Sequence, residues 1–148
     1  MQLARLPPRL TDAAVQLWHA CGLTRPWNDP VADLARALDG PSSTVLAALD
    51  GDAPEELVGT VMVGHDGHRG WVYYLAVDPG RRGRGVGRAL MSAAEEWLAA
   101  AGVPKVQLMV RAGNTEVVAF YEALGYADQQ VLVLGRFLDE DLQRMRQA

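Results

Sequence analysis

Arg81-Arg82-Gly83-Arg84-Gly85-Val86-Gly87-Arg88 interleaves four arginines with three glycines. It follows an apolar run, Trp71-Val72-Tyr73-Tyr74-Leu75-Ala76-Val77, that is closed by Asp78-Pro79-Gly80. It precedes a helical pattern from Ala89 to Leu98. A Gly-rich basic loop therefore joins a strand to the start of a helix. The free N–H groups of a helix start and the positive end of its dipole attract anions. Glycines let a phosphate approach the backbone and allow positive φ. Arg81, Arg82, Arg84 and Arg88 add formal charge and can hold phosphate in a bidentate fork. The spacing Gly83-x-Gly85-x-Gly87 is not the dinucleotide pattern GxGxxG, and no Lys-Ser/Thr pair follows, which excludes a P-loop.

The composition bounds the partners. With 148 residues, 49% of them hydrophobic and 22% charged, the chain suits one domain, 1–148, with one core. A net charge of -4 argues against general nucleic-acid binding and suits an anionic ligand at the basic loop with a neutral or cationic second substrate. Cys21 is the only cysteine, so neither an internal disulfide nor a zinc cluster is expected. No signal-like N-terminus and no long apolar window is visible, so no membrane contact is expected and the cytoplasm is the expected compartment.

Outward from the loop, the order of elements is readable. Gln2 to Leu6 reads as a short strand. Thr11 is expected to cap a helix from Asp12 to Cys21, with Ala14, Leu17, Trp18 and Cys21 on its core face. Asp29-Pro30 is an N-cap followed by a first-turn proline, opening a helix to about Leu38. The loop before it, with Trp27, Asn28 and Asp29, reads either as capping and packing or as a substrate lip. Thr44–Leu49, Leu57–Gly64 and the Trp71 strand form an antiparallel meander. His65, Asp66 and His68 sit on its last turn and read as a solvated hairpin, so no metal is expected. Val106–Val110 is a strand that should lie parallel to the Trp71 strand, since strand, helix, strand at this spacing is a βαβ unit. Asn114 caps a helix from Thr115 to Leu124. A final β segment runs from Tyr126 through Val131-Leu132-Val133-Leu134 to Phe137, and residues 138–147 form an amphipathic, helical tail.

Arg82-x-x-Gly85-x-Gly87 after a strand resembles the acetyl-CoA pyrophosphate loop of the GNAT acetyltransferase superfamily. Arg111-Ala112-Gly113-Asn114 followed by Ala119-Phe120-Tyr121-Glu122-Ala123-Leu124-Gly125-Tyr126 resembles its second cofactor motif, N…FYExLGF. Arg25-Pro26-Trp27-Asn28-Asp29-Pro30 and Asp66-Gly67-His68-Arg69-Gly70 look like a subgroup of small bacterial members. The resemblance covers nearly the whole chain. It implies an α/β (α+β) fold: a mixed central sheet with a three-strand antiparallel meander, a central parallel strand pair splayed at the acetyl-CoA site, and about four flanking helices. It also implies that the backbone of Leu75, Ala76 and Val77 binds the pantetheine arm like an added strand, beside a bulge. Backbone groups of Arg82, Gly83, Arg84, Gly85, Val86, Gly87 and Arg88 would hold the pyrophosphate. Asn114 is either a cofactor contact or a helix cap. Tyr121 stands where members place the acid that protonates the departing thiolate.

The base is less legible. Ribosomal-protein N-terminal acetylases carry a glutamate on the strand before the asparagine motif, and here Met109 stands in its place. On the Trp71 strand, Trp71, Tyr73 and Leu75 should share one face, and Val72, Tyr74 and Ala76 the other. Tyr73, acting through a water, and Asp29 are the remaining candidates. The resemblance implies an acetyl-CoA-dependent N-acetyltransferase that acts by direct attack of a primary amine on a small molecule or a protein or peptide, with Trp27, Asn28 and Asp29 near the acceptor. The alternative is a non-catalytic acetyl-CoA-binding or interaction domain. The apolar last strand and the tail are compatible with a homodimer.

Overall fold

Alternating apolar residues and Gly/Asp turns build a five-stranded sheet in the computed structural model, which describes residues 1–52 and 56–147. The strands are β1 (Gln2–Arg5), β2 (Ser43–Leu49), β3 (Leu57–His65), β4 (Gly70–Val77) and β5 (Val106–Gln107), and they lie in that order. β1 to β4 pair antiparallel, and β5 runs parallel to β4. The expected meander and parallel neighbour are both present. Among the described residues five α-helices accompany them, the short C-terminal one included: α1 (Thr11–Ala20), α2 (Pro30–Asp39), α3 (Val86–Ala100), α4 (Thr115–Ala123) and α5 (Glu140–Gln147). The chain forms two compact units, residues 1–24 with 29–108 and residues 25–28 with 109–147. No helix among the described residues is long and apolar enough to cross a membrane.

In the first unit α1 and α3 take opposite faces of the sheet. Thr60 on β3 faces α1, where its hydroxyl meets the Trp18 indole. Gly59, its neighbour, faces α3, because a Cβ there would meet Leu90 and Val86. α1 buries Ala14, Leu17 and Trp18, and α2 buries Leu34 and Ala37. α3 buries Val86, Leu90, Met91, Ala94 and Leu98 on the other side. Each fully buried leucine contributes about 1.5–3 kcal/mol. α2 begins as its sequence dictates: the Asp29 carboxylate accepts from Ala32 N at 3.1 Å and Pro30 opens the first turn. α1 does not. Thr11 is already helical and its hydroxyl donates to Pro8 O at 3.1 Å, because a 3₁₀ turn, Pro8–Leu10, runs straight into the helix. α3 starts at Val86 rather than Ala89.

The second unit holds α4 and α5. Asn114 caps α4 through Val117 N at 3.4 Å, and Asp139 caps α5 through Asp141 N at 2.8 Å. The expected final strand from Tyr126 to Phe137 does not form; the described residues there join no ladder. Apolar composition permits a strand, but only a neighbour with a free edge makes one. Here Gln130 instead turns into the left-handed region at φ 55, with its N–H on the Asp128 carboxylate. β5 is likewise two residues long, not the expected five.

Two predictions test this packing. A Cβ at Gly59 would lie 2.7 Å from the Ala76 carbonyl oxygen and 3.0 Å from Leu90. Gly59→Ala should therefore cost about 1–3 kcal/mol in urea unfolding. At the β3–β4 turn, N–H groups of Arg69 and His68 hold the Asp66 carboxyl at about 2, below its ordinary 3.8. A lowered pKa stabilises the fold above the unfolded value and ceases to do so once the folded group protonates. The stability difference between wild type and Asp66→Ala should thus be full above about pH 4 and shrink as the pH falls through about 2, as read by unfolding at a series of pH values.

Candidate active site

β4 carries a bulge. Gly59 pairs with Val77 and Thr60 with Ala76, but Met62 then pairs with Tyr73. Val61 therefore faces two residues, Tyr74 and Leu75. Tyr74 has φ 52, in the left-handed region. The bulge lies where the family resemblance leads one to expect it, and it corrects the simple alternation of faces. Tyr73 and Ala76, three residues apart, both lie opposite β3 residues of the α1 face. The Tyr74 ring stacks on Trp18 with centroids 3.8 Å apart and planes 9° apart.

The same strand offers an open edge. β4 pairs with β5 only through Gly70 with Val106 and Trp71 with Gln107. Asp78 N donates to Val58 O at 2.8 Å, which makes 58/78 and 60/76 the hydrogen-bonded pairs and turns the N–H and C=O of Val77 away from β3. The Val77 carbonyl accepts from the Cys21 thiol at 3.4 Å, and the same sulfur lies 3.8 Å from the Arg82 guanidinium. Cys21 thus ties the end of α1 to both β4 and the basic loop. The sequence placed it in the core; its helical spacing carried no sign of these partners.

In the loop, Asp78 accepts from Gly80 N at 2.8 Å, and Gly83 and Gly85 both have φ 78. Gly85 is the N-cap of α3 and offers no side-chain acceptor, and no acidic residue lies in the first turn. The early N–H groups of α3 therefore keep their capacity to bind an anion. The arginines divide their work. Arg81 pairs with Asp50 at 2.8 Å and Glu56 at 2.7 Å and is committed to the fold. Arg82, Arg84 and Arg88 are exposed.

The tyrosines of β4 are poor bases. Partial burial, with the Asp66 charge, raises the Tyr73 phenol above its ordinary value. Tyr74 is raised further, by burial, by its 2.8 Å hydrogen bond to Asp33, and by the charges of Asp33 and Asp29. Both are neutral phenols at neutral pH. Asp29 is occupied in part as the cap of α2.

In the second unit, Tyr121 on α4 packs edge-on against Phe120 and Tyr126, with centroids 5.0 and 5.7 Å away. Burial pushes its phenol up to about 12. Asn114 uses its carbonyl oxygen as the α4 cap. In the loop before α2, Asn28 N donates to Arg25 O at 3.0 Å, and Arg146 of α5 lies over the Trp27 ring, 5.0 Å from its centroid. Among the described residues no group of three or more His, Cys, Asp or Glu is arranged to hold a metal ion.

Comparison with known proteins identifies the family and the fold. The profile of the acetyltransferase (GNAT) family matches residues 11–126. An acetyltransferase of Pectobacterium atrosepticum is 47% identical over 131 residues, covering 88% of this chain and 90% of that protein. Among solved structures, a transcriptional regulator from Bacillus halodurans C-125 superposes with a TM-score of 0.78 at 18% identity, covering 92% of this chain and 99% of the other. AAC(6')-Iy in complex with the bisubstrate analogue CoA-S-monomethyl-acetylneamine superposes with a TM-score of 0.77 at 16% identity, covering 92% and 97%. At these identities the structural neighbours speak for the fold, while the family profile and the sequence relative speak for the chemistry. The chain is an acyltransferase and belongs to the GNAT family of acetyltransferases.

Proposed function

We propose that this enzyme transfers an acetyl group from acetyl-CoA directly to a primary amine. The observation that carries the reading is the continuous backbone surface from the bulge of β4 to the start of α3. Val77 offers an edge to an extended pantetheine arm, and the Gly83–Gly85 turn presents uncapped helix N–H groups, flanked by Arg82, Arg84 and Arg88, to a pyrophosphate. A protein of the same fold, AAC(6')-Iy, is in complex with the bisubstrate analogue CoA-S-monomethyl-acetylneamine, which supports pairing CoA with an amine. We place the reaction in the cytoplasm.

In this reading an N–H group of the Leu75–Val77 segment faces the thioester oxygen and stabilises the charge that develops as the amine attacks. The new C–N bond forms as the C–S bond breaks, and the proton the amine loses balances the one the thiolate gains. Tyr121 takes the acid's place by resemblance. A phenol near 12 stays protonated, yet handing its proton outright to a thiolate whose acid is near 8.5 would be uphill by about 5 kcal/mol. Tyr121 therefore serves best as a hydrogen-bond donor to the departing sulfur, passing a proton only as another arrives. The acceptor is cationic: the body is acidic, and Tyr73 lies close enough to Asp66 to feel its charge. Trp27, Asn28 and Asp29 serve as its lip.

Calorimetry should show acetyl-CoA binding to wild type and none to Arg82→Ala/Gly85→Glu; a wild type that does not bind would overturn the reading. In a thiol-release assay over a panel of amines, Tyr121→Phe should lower turnover by about 10²-fold or more while leaving acetyl-CoA affinity within about twofold. Unchanged turnover would remove Tyr121 from the mechanism.

A further inference from the structure

An aromatic residue has no local reason to adopt the left-handed backbone of Tyr74. Something around it must impose that conformation, and three groups from three elements surround it. The Thr60 hydroxyl of β3 donates to the Tyr74 carbonyl at 3.0 Å and accepts from the Trp18 indole N–H at 2.8 Å. The Trp18 ring of α1 closes the circuit by stacking flat on the Tyr74 ring. From α2, the Asp33 carboxylate accepts the Tyr74 hydroxyl at 2.8 Å, and its other oxygen is held by Arg36 at 2.6 Å. Trp18 and Thr60 are both fully buried, so the circuit works without competition from water.

We propose that Thr60, Trp18 and Asp33 are positioning residues that clamp Tyr74 in its left-handed turn and thereby fix the edge of β4 that meets acyl-CoA. The proposal rests on the acetyl-CoA reading above. Thr60 is the pivot, because it pairs with Ala76 in the ladder and also bonds the Tyr74 carbonyl. One residue therefore sets both sides of the bulge. Without the clamp, Tyr74 is free to return to extended φ. The one-residue offset at Val61 would then be lost, and the N–H and C=O of Val77 would no longer be turned to the open edge. None of the three side chains needs to touch substrate for this; they act through the backbone.

Thr60→Val keeps the shape and removes both hydrogen bonds, and Thr60→Ser restores them. Amide exchange by NMR, without ligand, reads the clamp alone: exchange at Ala76 should quicken at least tenfold in Thr60→Val and stay within about twofold of wild type in Thr60→Ser. Well below the melting temperature of the variant, Thr60→Val should raise the Kd for acetyl-CoA at least fivefold and lower kcat about tenfold, and Thr60→Ser should rescue both. A merely structural threonine would lower the melting temperature and leave Kd and kcat of the folded protein unchanged; that result overturns the proposal, as does unchanged exchange at Ala76. If Thr60→Val does not fold, Tyr74→Phe, which removes only the bond to Asp33, should move exchange, Kd and kcat in the same directions by smaller factors, and no movement overturns the proposal. Wild type that fails to bind acetyl-CoA sinks the functional reading and with it the purpose assigned to the clamp, while the exchange result still decides whether the clamp exists.

Discussion

One extra residue opposite Val61 sets the geometry on which the rest of β4 depends. A regular strand would keep its polar groups in step with β3 along its whole length, with side chains alternating strictly between the α1 and α3 faces. The bulge breaks that rhythm at Tyr74 and Leu75. It moves Tyr74 onto Trp18 and sends β4 toward the loop with a backbone edge unclaimed by a ladder. A left-handed tyrosine is costly, on the order of 1–3 kcal/mol. It persists because buried hydrogen bonds and a ring stack over-determine it. The strain is thus a property of the whole first unit, although it sits on one residue.

The basic loop obeys a different constraint. Its shape comes from Gly83 and Gly85 in left-handed turns, and its anion capacity from a helix start without a side-chain cap. Serine or aspartate is the usual N-cap, but at Gly85, with φ 78, either would strain the backbone. Either would also consume one of the helix N–H groups that the acetyl-CoA reading assigns to the pyrophosphate. The buried face of α3, from Val86 to Leu98, supplies the anchoring that a cap would have given.

Much of this was legible in the letters, for local reasons. Asp29-Pro30 and Asn114 announce their helices because capping is chemistry between near neighbours, and both carboxyl and amide oxygens are found doing it. The meander follows from alternation and turn residues, and the glycine spacing of the loop carries its own conformational meaning. What was hidden depends on distant partners. Arg81 looks like its neighbours until Asp50 and Glu56, 31 and 25 residues away, claim it. The break in alternation that puts Tyr73 and Tyr74 on one face comes with contacts of Tyr74 to Trp18 and Thr60, far away in sequence. Thr11 looks like a cap, but the 3₁₀ turn before it extends the helix past that role. The aliphatic run from Val131 to Leu134 has the composition of a strand, and composition alone does not supply a ladder.

The division among the arginines has a kinetic side. With Arg81 neutralised by two carboxylates, the outward field of the loop comes from Arg82, Arg84 and Arg88, all at the surface. Charges there are screened over about 8 Å at physiological ionic strength. They guide an approaching anion over its last steps and lose that influence as salt rises. The amides at the start of α3 are fixed dipoles that act at contact, where salt has little access. On the acetyl-CoA reading, arrival and residence are therefore governed by different groups: exposed guanidinium ions set how often the cofactor reaches the loop, and the rigid backbone sets how long it stays.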